Sequence, residues 1–296
     1  MAGQNTLIIS QDYNLIQDKV AIILGTGSAD YGYGRTVSSS QVALGNRVTV
    51  QQWSNLRTDL IRCRAHQTGT EPTLTIPTTA TTIKESDRAE YKAVADAITS
   101  SRLTINSTQA TRENLITPAV RTASWQSVTH VVTVDFGSYN DARYFFNTGS
   151  TFEFSASRTG GGTNLKNSSW TTLLQNAGTV SFGYTSTSAT GSGNISAIGF
   201  YDLTTSDQEI YYKSTEEPTY SPNKWSILAR QGTNTGQVVF TIQFLDTTVP
   251  PASTPDPGFQ IDEDVSGTLT STVQVYRASG SYVSIPKPPA STNSIA

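Results

Sequence analysis

The chain has little of the chemistry that enzymes and metal proteins usually depend on. Its 296 residues include one cysteine and two histidines. With Cys63 alone, no intrachain disulfide can form. One Cys and two His fall short of the roughly four ligands of a structural zinc site. No G-x-S-x-G elbow, H-E-x-x-H pair or Walker sequence is present. Charge is also scarce: Asp, Glu, Lys and Arg make up 15% of the chain, against roughly 25% in ordinary domains. The net charge of -3 gives no basic footprint for nucleic acid. The longest apolar run, Val20 to Leu24, is far below the roughly 18 residues of a membrane helix. The N-terminus lacks a basic and then apolar leader. The expectation is a cytoplasmically made protein with no membrane partner, no cofactor and no metal.

Ser, Thr, Gly and Asn fill the deficit, and aromatic and branched residues run through the middle of the chain. That composition suits a β-rich, turn-rich protein rather than a disordered one. The first third has a helical period. Tyr13, Ile16, Val20 and Ile23 predict a helix over 10–25, capped by Ser10 or Asp12 and ended by Gly25. Gly25-x-Gly27 follows a helix rather than a strand, so it reads as a helix end and turn, not a phosphate loop. Val37, Val42, Val48 and Val50 around Gly45-Asn46 predict a β-ribbon. Thr49 with Gln52 makes a capping box for a second helix, whose inner face carries Trp53, Leu56, Leu60 and Cys63. Thr82 with Glu85 opens a third, with Tyr91, Val94, Ala95 and Ile98 inward. His66 is expected as a solvent-edge or hydrogen-bonded histidine near a helix C-terminus, where a partial positive charge is favoured.

From Ala119 the period changes to 2. Strands are expected at 128–136, 152–157, 179–184, 195–203, 209–213, 224–230, 237–245, 265–277 and 281–285. Tyr139 to Phe146 reads as a helical turn closing the end of the β core, and 170–178 as a helix on the sheet. Pro250, Pro251, Pro255 and Pro257 predict a stiff crossover. The predicted fold class is α+β: an α-rich docking domain over 1–118, an antiparallel, jelly-roll-like β-sandwich over 119–285, and a loose tail over 286–296.

Four stretches carry a resemblance: DYNLIQDKVAIILGTGSADYGYGRTVSSSQV, WSNLRTDLIRCRAHQTG, YNDARYFFNTGSTFEFSASR and NSSWTTLLQNAGTVSFG, lying between residues 12 and 183. They resemble recurring segments of virion structural proteins of tailed phages, notably those infecting cyanobacteria. The resemblance implies a structural component of the virion without fixing its place there; the tail, neck or fibre is the expected place. Copies of itself and neighbouring virion proteins would be its partners. It implies no catalytic residue.

The residues offer two other readings. Tyr201, Tyr211, Tyr212, Tyr220 and Trp225 could form a sugar platform, because rings stack on apolar sugar faces. The β-sandwich would then be a receptor-binding module for host surface glycans. The same residues suit a protein interface equally well. A glycosidase needs two carboxylates flanking the scissile bond. Glu153 is the best candidate, with Asp135 beside it if their strands pair. Asp262-Glu263-Asp264 reads as a solvated acidic turn. The expectation is a non-enzymatic homo-oligomer.

Overall fold

The computed structural model describes residues 9–80, 83–248, 264–293 and 295. The chain is α+β. In order it forms α1 (Ser10–Leu24), α2 (Val50–Thr68), α3 (Glu85–Ser100), β1 (Ala110–Asn114), β2 (Ala119–Arg121), β3 (Ser127–Asp135), α4 (Tyr139–Asn147), β4 (Thr151–Thr159), α5 (Leu165–Ala177), β5 (Val180–Phe182), β6 (Thr187–Ala189), β7 (Asn194–Ile195), β8 (Gln208–Ser214), β9 (Lys224–Gln231), β10 (Gln237–Leu245), β11 (Thr268–Ala278) and β12 (Ala290–Thr292). Two compact units emerge, and neither is continuous in sequence. The first holds residues up to Thr111 together with Asn140–Ser150 and Arg277–Pro286. The second holds Arg112–Tyr139, Thr151–Tyr276 and the residues from Lys287.

The first unit is built on α1, α2 and α3. Each contributes one aromatic ring to a T-shaped run: Tyr13 on Trp53 at 5.3 Å and Trp53 on Tyr91 at 5.2 Å. The two phenols are satisfied by carbonyls, Tyr13 donating to Gln52 and Tyr91 to Thr75. Edge-to-face rings add about 0.5–1.5 kcal/mol per pair beyond their area. Cys63 is fully buried, and burial pushes its thiol well above the usual range, with the Asp59 carboxylate adding to the shift. The Thr49–Gln52 capping box forms, with Thr49 Oγ1 accepting from Gln52 N–H and Gln52 Oε1 accepting from Thr49 N–H. Gly69 ends α2 at φ 79, the left-handed conformation that glycine adopts without a Cβ penalty. Neither Ser10 nor Asp12 takes the N-cap position of α1, which is Ile9; Asp12 lies in the first turn and accepts from Ile9 N–H. The expected Thr82 cap lies outside the described residues; α3 begins at Glu85, where Asp87 accepts from Lys84 N–H.

The β-ribbon expected over 36–50 does not form. No strand lies there, because helix side chains take the place of a strand partner. Asn14 clamps Val42 through both its N–H and its C=O, at 2.8 and 2.9 Å. The Asp59 carboxylate accepts from Ser38 and Ser39 N–H. Arg62 and Asn55 donate to the carbonyls of Thr36 and Ser38. The valines of 37–50 flank the Gly45-Asn46 turn as a ribbon's would, but the segment's backbone is satisfied by polar groups of α1 and α2.

The second unit is a sandwich of two antiparallel sheets. One runs β1-β11-β4-β5-β6, with β2 also on β11. The other runs β12-β3-β10-β9-β8-β7. Each is largely a meander closed by a strand distant in sequence. β3 pairs with β10 along its whole length, Ser127 with Leu245 through Asp135 with Gln237. β4 pairs with β11 in the other sheet. The core is centred on Phe240, against which Phe154, Phe182 and Phe152 pack at 4.9, 5.3 and 5.4 Å. These three come from the opposite sheet, so period-2 alternation of both sheets meets at one ring.

Several sequence expectations change here. The 195–203 strand is reduced to Asn194–Ile195, because Gly199 lies against the backbone of Tyr184 to Ser186 and the chain turns inward at Phe200. Ser281–Ile285 forms no sheet strand; it folds back through a single bridge, Ser279 with Ser284, within the first unit. The helical turn after β3 does not belong to the β core: Asn140–Ser150 is part of the first unit. Residues 286–296 were expected to be loose, yet Ala290–Thr292 pairs with β3. The proline crossover, along with Asp262 and Glu263, lies outside the described residues.

Candidate functional site

Two places gather chemistry. The first is the glycine-rich loop after α1. Arg143 of α4 is almost fully buried and donates to the carbonyls of Thr26 (2.8 Å), Ala29 (3.2 Å) and Tyr31, and to Asn140 Oδ1 (3.1 Å). Asn147 donates to Gly32 C=O at 3.1 Å. The loop thus turns its carbonyls onto a cation. A phosphate loop turns its N–H groups onto an anion, so the polarity here is opposite to that of a nucleotide site. Gly27 and Gly32 at φ 53 and 112 allow that arrangement.

His66 stands in the same unit, fully buried and edge-on to Tyr33. Its Nε2 lies 2.9 Å from Thr148 C=O. A carbonyl only accepts, so Nε2 carries the proton and Nδ1 is bare, with no partner among the described residues. Burial lowers its pKa to about 4, opposed by the Thr148 hydrogen bond. Of the solvent-edge or hydrogen-bonded histidine expected at this helix end, the hydrogen bond is present and the solvent edge is not, and desolvation outweighs the helix dipole.

The second place is in the sandwich, along α5. Asn164 caps this helix by accepting from Asn167 N–H at 2.8 Å. Trp170, Leu173, Leu174 and Ala177 are buried. Lys166 sits on the same stripe, four residues before Trp170, and pairs with Asp246 at 2.5 Å with both groups almost fully buried. Thr248 Oγ1 donates to the other oxygen of Asp246 at 2.7 Å. On its other flank α5 lines a cleft of about 280 Å³ with Leu165, Ser168, Thr172 and Asn176, facing Lys213, Thr215 and Glu216. Lys213 is buried and donates to Ser192 Oγ and Glu216 Oε1, both at 2.9 Å. That ammonium, with help from Asn176, holds the Glu216 carboxyl below its usual range.

The five aromatic candidates do not form one platform. Trp225 and Tyr211 are core residues, packed edge-on at 5.5 Å, with Tyr211 OH donating to Ser192 C=O. Burial raises the Tyr211 phenol to about 12. Gly193 is required there, since a Cβ would lie 2.5 Å from the Tyr211 ring. Tyr212 takes the opposite face and meets Lys224 at 5.2 Å, while Tyr220 lies 5.9 Å from Lys166 Nζ. Tyr201 is 57% exposed and leans on Tyr184. Adjacent strand residues point to opposite faces, and that separates Tyr211 from Tyr212.

The carboxylate pair is not assembled either. β3 and β4 belong to different sheets, so Asp135 and Glu153 are not strand neighbours. Glu153 accepts from Arg112 Nε and Nη2, at 2.6 and 3.0 Å. Asp135 is occupied by Gln237 and by Gly137 N–H, which together hold its carboxyl below its usual range. Among the described residues no group of three or more His, Cys, Asp or Glu is placed to hold a metal, and no helix is long and apolar enough to cross a membrane.

Sequence reasoning missed Arg143, the Lys166–Asp246 pair and the cleft. A lysine on the apolar stripe of α5 was a readable signal of a buried partner. Nothing local marks Arg143, whose carbonyl partners lie more than a hundred residues away. No family model, curated protein or solved structure matches the chain.

Proposed function

We propose that this chain is a non-enzymatic structural component of a tailed-phage virion, in the tail, neck or fibre, assembling through contacts between copies and with neighbouring virion proteins. The resemblance over residues 12–183 carries the reading. What supports it in the fold is the use made of the reactive-looking side chains. Glu153, Asp135, Arg143, Lys166 and Asp246 are each engaged in contacts that hold the fold together. Leu15, Leu44 and Ile76 of the first unit are 59%, 83% and 65% exposed, and apolar side chains of that kind are the raw material of subunit contacts. The test is the mass of the purified full chain by light scattering, followed by location of the chain in a map of the intact particle. A defined oligomer is expected. A monodisperse monomer at tens of micromolar overturns the reading.

A second reading is favoured by the cleft along α5. Its serine, threonine, asparagine, lysine and glutamate groups match the donors and acceptors of a sugar, and its volume suits one ring. The β-sandwich would then act as a receptor-binding module for host surface glycans. A glycan array with the full chain and with Asn176→Ala separates the two. Sugar binding lost in the variant supports the module; silence from both supports the scaffold. Trp225→Ala is unsuitable, because that ring is core.

A further inference from the structure

The last strand of the second unit differs from the others in how it is held. β12 has three residues and one neighbour, pairing Ala290, Ser291 and Thr292 with Val134, Thr133 and Val132. Backbone bonds extend the contact by one step at each end: Asp135 N–H to Pro289 C=O at 3.0 Å, and Asn293 N–H to Val131 C=O at 3.2 Å. The odd-numbered residues of β3 therefore face this arm. The even ones face β10, as Asp246 N–H on Gln126 C=O indicates. The arm fills the β3 edge from Asp135 to Val131, although the strand itself runs back to Ser127.

One side chain locks the arm. Thr292 Oγ1 has acceptors in the carbonyls of Val131 (3.0 Å) and Asn293 (2.8 Å), so its single hydrogen is committed to a carbonyl. His130 Nε2, 2.9 Å from the same oxygen, must then be the donor. His130 Nδ1 consequently accepts from Ser271 Oγ at 3.0 Å. Ile295, beyond the strand, is buried as well. The socket is thus a directional lock on β3 that recognises a threonine and a backbone strand.

The stem of the arm reads Pro286-Lys287-Pro288-Pro289. Proline lacks an N–H and fixes φ, and it biases the residue before it to extended conformations. This stem neither continues a ladder nor makes a tight reversal. Residues 277–286 before it belong to the first unit, and the arm to the second. The arm's partner lies far from it in sequence, so closing the contact within one chain competes with supply of the same strand from elsewhere. A three-residue edge strand opens well below the free energy of global unfolding. Its residues Ser291 and Thr292 are exposed and polar.

We propose that residues 287–293 are an exchangeable arm, donated to the β3 edge of a second copy of this chain when copies assemble. Every copy carries both arm and socket. Exchange therefore gives either a reciprocal pair or a closed ring, depending on the symmetry. This rests on the assembly reading above and names the contact by which copies engage.

The test uses the register pair Ser291 and Thr133. A full chain carrying S291C and T133C is oxidised mildly in its native oligomer and run on a denaturing, non-reducing gel. Cross-strand partners lie within disulfide reach, and the natural Cys63 is buried. Exchange predicts covalently linked chains of two or more, absent from either single variant. A link confined within each chain overturns the proposal. So does failure of both links, because the arm would not then be seated on β3. If the native mass is oligomeric while the link stays within each chain, exchange fails and the assembly reading stands. If the native mass is monomeric, both fail. A second variant, Thr292→Val, keeps the strand but removes the lock, and a several-fold faster mixing of tagged and untagged chains is expected.

Discussion

The helical unit and the sandwich unit bury polar backbone by different means. In the sandwich, the ladder between β3 and β10 pairs residue with residue over the full strand, and side chains are left free to build the Phe240 core. In the helical unit, the stretches between helices have no ladder. Asn14, Asp59 and Arg143 reach out from helices and satisfy the loops one group at a time. A strand solves its hydrogen bonding by repetition. An irregular loop needs a particular side chain at a particular distance. The sandwich is therefore expected to be sensitive at apolar core positions, and the helical unit at polar ones.

The largest effect sharpens the first half of that contrast. Phe240→Ala should cost about 3–5 kcal/mol, read as a lowered urea midpoint. A cost below about 1 kcal/mol would mean that the sandwich is not centred on this ring. The next concerns the helical unit and pH. His66 has an ordinary pKa of 6.5, lowered to about 4 when folded. The unfolded chain binds the proton more readily between those values. Stability is therefore complete above pH 6.5 and falls as pH drops towards 4, by at most about 3 kcal/mol from 1.36 kcal/mol per unit. The His66→Gln variant should show a shallower fall over that window than the parent, measured by urea unfolding at pH 7.5 and 5.

Asp59→Ala should cost about 2 kcal/mol, since Ser38 and Ser39 N–H lose their buried acceptor. Hydrogen exchange at those two amides should rise selectively. Protection that survives the change would show that the loop does not depend on its carboxylate. The smallest effect is expected at Lys92→Ala. Its pair with Asp96 joins two half-exposed side chains, worth below about 0.5 kcal/mol. A larger loss would break the distinction drawn here between buried polar clamps and surface pairs.

How much could be read in advance follows the same line. The helices were legible because Tyr13, Ile16, Val20 and Ile23 repeat at 3.6 residues, and the long strands because Val238, Phe240, Ile242 and Phe244 alternate. The valines around Gly45-Asn46 misled, because the backbone partners of that segment are side chains of α1 and α2. β12 carries no apolar alternation, and what identifies it is its register on β3. Of the aromatic site, Tyr201 alone stands well exposed. Trp225 and Tyr211 share a strand pair with their neighbours and go to the core, which residue type cannot reveal.

Local periodicity and caps are enough to place the three N-terminal helices and the long strands such as β3 and β10, and to say which of their faces are apolar. The tertiary structure alone decided which buried polar group meets which: Arg143 with the loop at 26–31, Lys166 with Asp246, and His130 with Thr292. The reason is physical. Periodicity is a property of neighbours along the chain, whereas a hydrogen bond or ion pair between residues a hundred positions apart exists only once the fold has brought them within about 3 Å.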